Sequence, residues 1–121
     1  MRSARAQPAQ LPIAAFAAIG VLVFATAAAP AQPKDTPPRR QIVEIRGMAF
    51  HPAVLEVQRG DTVIWINRDI VPHTATATGQ SGWNTGPLLQ GQSGRYVPHR
   101  KGEAEYACAL HPTMLGQLII R

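Results

Sequence analysis

Glu103-Ala104-Glu105-Tyr106-Ala107-Cys108-Ala109-Leu110-His111-Pro112-Thr113-Met114 runs two patterns together without a gap. Up to Cys108 the residues alternate, with Ala104, Tyr106 and Cys108 on one side and both glutamates on the other. That is the two-residue period of a half-buried strand. After Cys108 the alternation stops, and Pro112 forbids its early return, so Ala109 to Met114 is a loop. The strand aims Cys108 inward, and the loop carries His111 and Met114 at spacings of three and three. Downstream, Gly116-Gln117-Leu118-Ile119-Ile120-Arg121 reads as a final apolar strand.

Working back toward the N-terminus, the same short period recurs. Arg95 to Pro98 is a possible strand, limited by Pro98 to an edge or a strand end. Gly79 to Gly94 is polar and glycine-rich, and its two copies of Gly-Gln-Ser-Gly are turn chemistry, too short to be a repeat unit. His73 opens a threonine-rich run through Thr78 with high β propensity, after a loop from Asn67 to Pro72. Thr62-Val63-Ile64-Trp65-Ile66-Asn67 is β-branched and aromatic, and Arg59-Gly60-Asp61 turns into it. Val54 to Gln58 and Gln41 to Arg46 alternate, with a break from Gly47 to Pro52. No stretch beyond residue 40 has helical periodicity. Seven or so short strands separated by turns predict an all-β antiparallel sandwich.

The first quarter of the 121 residues differs from the rest. Arg2 and Arg5 are followed by an uncharged, alanine-rich run from Leu11 to Ala29, then Pro30-Ala31-Gln32-Pro33. A basic start, an apolar centre and small residues at A-x-A spacing form a secretory signal peptide over residues 1–31, cleaved after Ala31 or near Ala27. A retained membrane anchor is the rival reading, since nineteen residues of this kind are just long enough to span a bilayer. Residues 32–40 hold three prolines and four charges and read as a flexible linker, which leaves 41–121 as the domain. Losing Arg2 and Arg5 from 12 basic residues leaves 10 against 7 acidic, about +3. These charges are scattered, which speaks against a nucleic-acid footprint.

Export sharpens the reading of the single cysteine. In an oxidising compartment an unpaired thiol cannot staple its own fold and is open to oxidation, so metal ligation gives it a purpose. Cys108 offers a thiolate, His111 and His73 two imidazoles, and Met114 a weaker axial thioether. This His₂Cys set with an axial methionine is that of a blue-copper electron-transfer site. Each residue has a plainer reading: a small buried hydrophobe for Cys108, gap-filling core for Met114, a satisfied loop histidine for His73. Zinc is the chemical rival, but a structural zinc site would take a further Cys, His or carboxylate rather than methionine. Cys-His nucleophilic catalysis lacks an evident orienting acid beside His111. His51 and His99 lack ligand-like neighbours and read as surface residues.

From Gln41 to Arg121 the chain resembles the cupredoxins, and most of all the amicyanin and plastocyanin group. The resemblance rests on Gly60-Asp61-Thr62-Val63-Ile64-Trp65-Ile66-Asn67, on Val71-Pro72-His73 and on Tyr106 to Met114, whose C-x₂-H-x₂-M spacing resembles the short amicyanin ligand loop. It implies a Greek-key sandwich of about eight strands and one type 1 copper ion held by His73, Cys108, His111 and Met114. It further implies periplasmic one-electron transfer with no bond chemistry. His111 is then the ligand nearest the surface, ringed by Leu110, Pro112, Leu115, Val71 and Pro72 as an apolar docking patch for redox proteins. The expected molecule is a monomer with neither nucleic-acid partner nor membrane contact once the signal peptide is gone. A copper-delivery protein on the same scaffold is the second reading. Thr74 stands where the family often has an asparagine that ties the two ligand loops, and Ala104 and Pro98 where larger aromatics are usual. Altered thiolate hydrogen bonding and a looser core follow from these departures.

Overall fold

The computed structural model describes residues 9–14, 20, 28 and 36–121, so most of the expected signal peptide lies outside the described residues. Among the described residues there is no helix, and none long and apolar enough to cross a membrane. Eight strands form: β1 (Arg40–Arg46), β2 (Ala49–His51), β3 (Val54–Val57), β4 (Thr62–Asn67), β5 (Thr76–Ala77), β6 (Ser93–Tyr96), β7 (Gly102–Ala107) and β8 (Leu115–Ile120). They make two four-stranded sheets, ordered β2-β1-β4-β6 and β3-β8-β7-β5.

The core is where the alternating residues of both sheets meet. Val43 and Ile45 of β1, Val63 and Trp65 of β4, Tyr106 of β7 and Leu118 of β8 are all buried, joined by Phe50 and Val57. In β4 burial alternates residue by residue and ends on Asn67, which therefore points its amide inward. Gly116 is needed because the Tyr106 ring lies against it: a Cβ there would sit 2.2 Å from Cζ.

The sandwich is not purely antiparallel, as expected from sequence. β1 pairs in parallel with β4, and β3 with β8. Alternation is identical in either direction, so the pattern alone could not tell them apart. The expected break at Gly47 to Pro52 instead holds a hairpin, with β2 antiparallel to β1. Its turn puts Gly47 and Met48 at φ of 59° and 60°, a two-residue geometry usually signalled by Asn-Gly. The threonine-rich run yields only Thr76–Ala77, because the Thr74 N–H is directed to the Cys108 sulfur and not to a neighbouring strand.

Candidate metal centre

Three loops converge at one end of the sandwich. The segment after β4 is drawn in by the inward Asn67 amide, which donates to the Val71 carbonyl at 2.9 Å and to the Leu88 carbonyl at 2.8 Å. His73 and Leu88 exchange backbone hydrogen bonds of 3.1 and 2.7 Å, which fixes the second loop against the first. The loop after β7 is knotted on itself: the His111 N–H donates to the Cys108 carbonyl, Met114 N–H to His111 and Cys108 N–H to Met114, at 3.2, 2.9 and 3.1 Å. These turns account for the short spacing in sequence.

The expected side chains meet there. Cys108 Sγ lies 3.7 Å from His73 Nδ1 and 3.7 Å from His111 Nδ1, and the three donor atoms lie within 4.8 Å of one another. An ion with bonds of about 2.3 Å to sulfur and about 2.0–2.1 Å to nitrogen, at tetrahedral to trigonal angles, holds those two donors about 3.5–3.8 Å apart, so the two sulfur–nitrogen separations suit a single first-row ion. Cys108 and His73 are completely buried, His111 is partly exposed and Met114 is buried against the core beside them. Neither His51 nor His99 joins the group; the former is half-buried with its Nε2 on the Arg46 carbonyl, the latter exposed.

The surroundings orient the donors. His73 Nε2 lies 2.9 Å from Asp69 Oδ2; a carboxylate only accepts, so the proton sits on Nε2 and the Nδ1 lone pair is left facing the sulfur. Asp69 also accepts the N–H groups of Gly47 and Met48 at 2.7 and 2.9 Å. The Met48 N–H lowers its pKa from the ordinary value against the opposing effect of burial, with further help from Gly47 and His73. The Thr74 N–H donates to Cys108 Sγ at 3.3 Å. Thr74 Oγ1 accepts the Ala109 N–H at 2.8 Å and lies 2.8 Å from Thr76 Oγ1, which donates to Asn84 Oδ1. The hydroxyl thus ties the loops that the family's asparagine ties, so this departure costs neither the bond to sulfur nor the strap.

Asp69 and Asn67 were not picked out from sequence as contributors. The available signal was a carboxylate four residues before a candidate histidine ligand, the arrangement that fixes a tautomer. Two imidazoles and a thiolate, with a buried thioether on the same short loop, are the donor chemistry of type 1 copper.

Comparison with known proteins agrees. The amicyanin of Paracoccus denitrificans is 31% identical over 84 residues, 65% of this chain and 63% of that relative. That of Paracoccus versutus is 26% identical over 102 residues, covering 81% and 77%. The chain of a Cu(I) methionine-to-alanine variant of amicyanin superposes with a TM-score of 0.64 at 27% identity, covering 68% of this chain and 82% of that one. The chain has the cupredoxin fold and is similar in sequence to amicyanins. A purple cupredoxin from Nitrosopumilus maritimus shares the fold at a TM-score of 0.63 and 26% identity, covering 67% of this chain and 99% of the other. No protein-family profile matches the chain, and it spans 63% of the length of the Paracoccus denitrificans relative.

Proposed function

We propose that this cupredoxin is a periplasmic electron carrier holding one type 1 copper ion through His73, Cys108, His111 and Met114. The observation that carries the reading is the buried thiolate with two Nδ1 atoms each 3.7 Å from it. Bound there, copper supplies a one-electron couple, Cu(I)/Cu(II), and no bond chemistry is required. The chain's own part is to hold the donors in one geometry for both oxidation states. The Asp69 carboxylate locks the His73 ring, the Thr74 N–H steadies the sulfur, and the Thr74 hydroxyl keeps the two ligand loops together.

His111 is the partly exposed ligand, and the loops around the site leave Ile70, Val71, Leu89, Leu110 and Leu115 exposed. An apolar surface of this kind suits the small, transient contacts of redox partners. Ile70 and Leu89 extend the patch inferred from sequence, and the chain works as a monomer between docking events. The test is to load the mature protein with copper, cycle it and measure electron self-exchange beside copper release. Reversible one-electron cycling with fast self-exchange and slow copper loss is the expected result. Rapid copper loss with sluggish self-exchange would instead assign the chain to copper delivery.

A further inference from the structure

The aromatic side chains are not scattered through the core. Tyr96 stacks on Trp83 with ring centroids 4.5 Å apart and planes at 15°, and Trp83 stacks on Trp65 at 5.1 Å and 28°. Trp65 meets Tyr106 edge-on at 5.3 Å. Two residues beyond Tyr106 on the same extended segment is Cys108, about 6.6 Å further along the backbone. The rings therefore run from the thiolate to the flank of the sandwich, away from the His111 surface. At the outer end Tyr96 lines a cleft of about 890 Å³ with His99, Lys101, Ala104, Glu105 and Ile120. Ala104, where the resemblance has a larger aromatic, is one of the cleft's lining residues, while Pro98 is fully buried.

We propose that Tyr96, Trp83 and Trp65 are a relay that carries an electron from the metal centre to a radical-type one-electron oxidant arriving in this cleft; it rests on the copper reading above. The oxidant takes one electron from the Tyr96 ring, whose phenolic proton passes to cleft water and returns when Trp83 supplies the electron. Trp65 then refills Trp83 and would in turn be refilled from the site, where bound Cu(I) would supply the electron. One electron has moved and no bond stays broken. The inner polar atoms suit this passage: Trp65 Nε1, Trp83 Nε1 and Tyr106 Oη are buried without a hydrogen-bond partner. The Trp83 indole, with no acceptor at its N–H, keeps its proton when oxidised and passes the charge on. Burial pushes the Tyr106 hydroxyl up to about 12, with the nearby Trp65 indole offsetting this only in part, so Tyr106 bridges Trp65 to the Cys108 segment without being a stop.

The experiment uses the copper protein with His51→Gln, so that His99 is the one histidine outside the site, labelled with a photo-oxidisable ruthenium polypyridyl complex. Flash-quench oxidation of the label is expected to give a transient tryptophan radical, followed by the visible Cu(II) band. Trp83→Phe keeps an aromatic ring on a partly exposed position but resists oxidation; it should lose the radical and slow copper oxidation, while Trp83→Tyr restores both a radical and the speed. Wild-type copper oxidation in folded Trp83→Phe, checked by thermal unfolding, would overturn the relay. The copper reading fails separately: without copper binding no visible band appears in any variant, yet the radical still forms and is still lost in Trp83→Phe.

Discussion

Replacing Asp69 by alanine probes how the site is held, because one carboxylate serves both the β1–β2 turn and a candidate metal ligand. Its contacts with the Gly47 and Met48 N–H groups lie at an exposed turn, where water takes over at small cost. The third is different. His73 is fully buried, and its Nε2–H has Asp69 as its acceptor, so the truncation strands a buried donor, worth about 1–3 kcal/mol. In a domain of this size each kcal/mol lowers the melting temperature by roughly 4–8 °C. The ring also loses what fixes its tautomer, and partners of this kind are typically worth about 10–100-fold in metal affinity, or roughly 1.4–2.7 kcal/mol. Asp69→Asn separates the two roles: its amide oxygen, placed where Oδ2 was, still accepts from His73 and Met48 and gives up only the Gly47 N–H. Calorimetry of the metal-free proteins and chelator competition for copper read both quantities. Wild-type affinity in Asp69→Ala, or an equal loss in Asp69→Asn, would refute the reasoning.

Gly116→Ala drives a methyl into the Tyr106 ring, in direct overlap with Cζ and Oη; overpacking of this kind costs about 1–3 kcal/mol or more, read as a lowered denaturant midpoint. Thr74→Val removes the acceptor of the Ala109 N–H but keeps the backbone bond to sulfur, so stability should fall by about 1–3 kcal/mol while the visible copper band survives. Asp61 is 2% exposed; burial raises its pKa, but the Arg39 and Gln58 N–H groups outweigh this and hold it below its ordinary 3.8. A depressed carboxylate stabilises the fold above that value and stops doing so as pH falls through its folded pKa. Acid titration of stability should therefore show a loss below about pH 3.8 in wild type that is reduced in Asp61→Ala.

The strands around the site were legible because Val43 and Ile45, Val63 and Trp65, and Tyr106 and Cys108 keep strict alternation. The candidate donors were legible because thiol, imidazole and thioether crowd one loop. Three features were not. The parallel pairing of β1 with β4 leaves no trace in a two-residue period. The β1–β2 hairpin turns on Gly47-Met48, where the non-glycine residue at positive φ lacks the usual signal, and the turn is held by Asp69 more than twenty residues away. The stack of Trp83 on Tyr96 likewise joins a loop to a strand through the fold alone, and no spacing in sequence announces it.

The absorption spectrum of the copper-loaded mature protein tests the central claim most directly. A thiolate bound to Cu(II) in the buried site gives an intense visible charge-transfer band, present in wild type and gone in Cys108→Ser. A colourless protein holding stoichiometric Cu(II) would contradict the account.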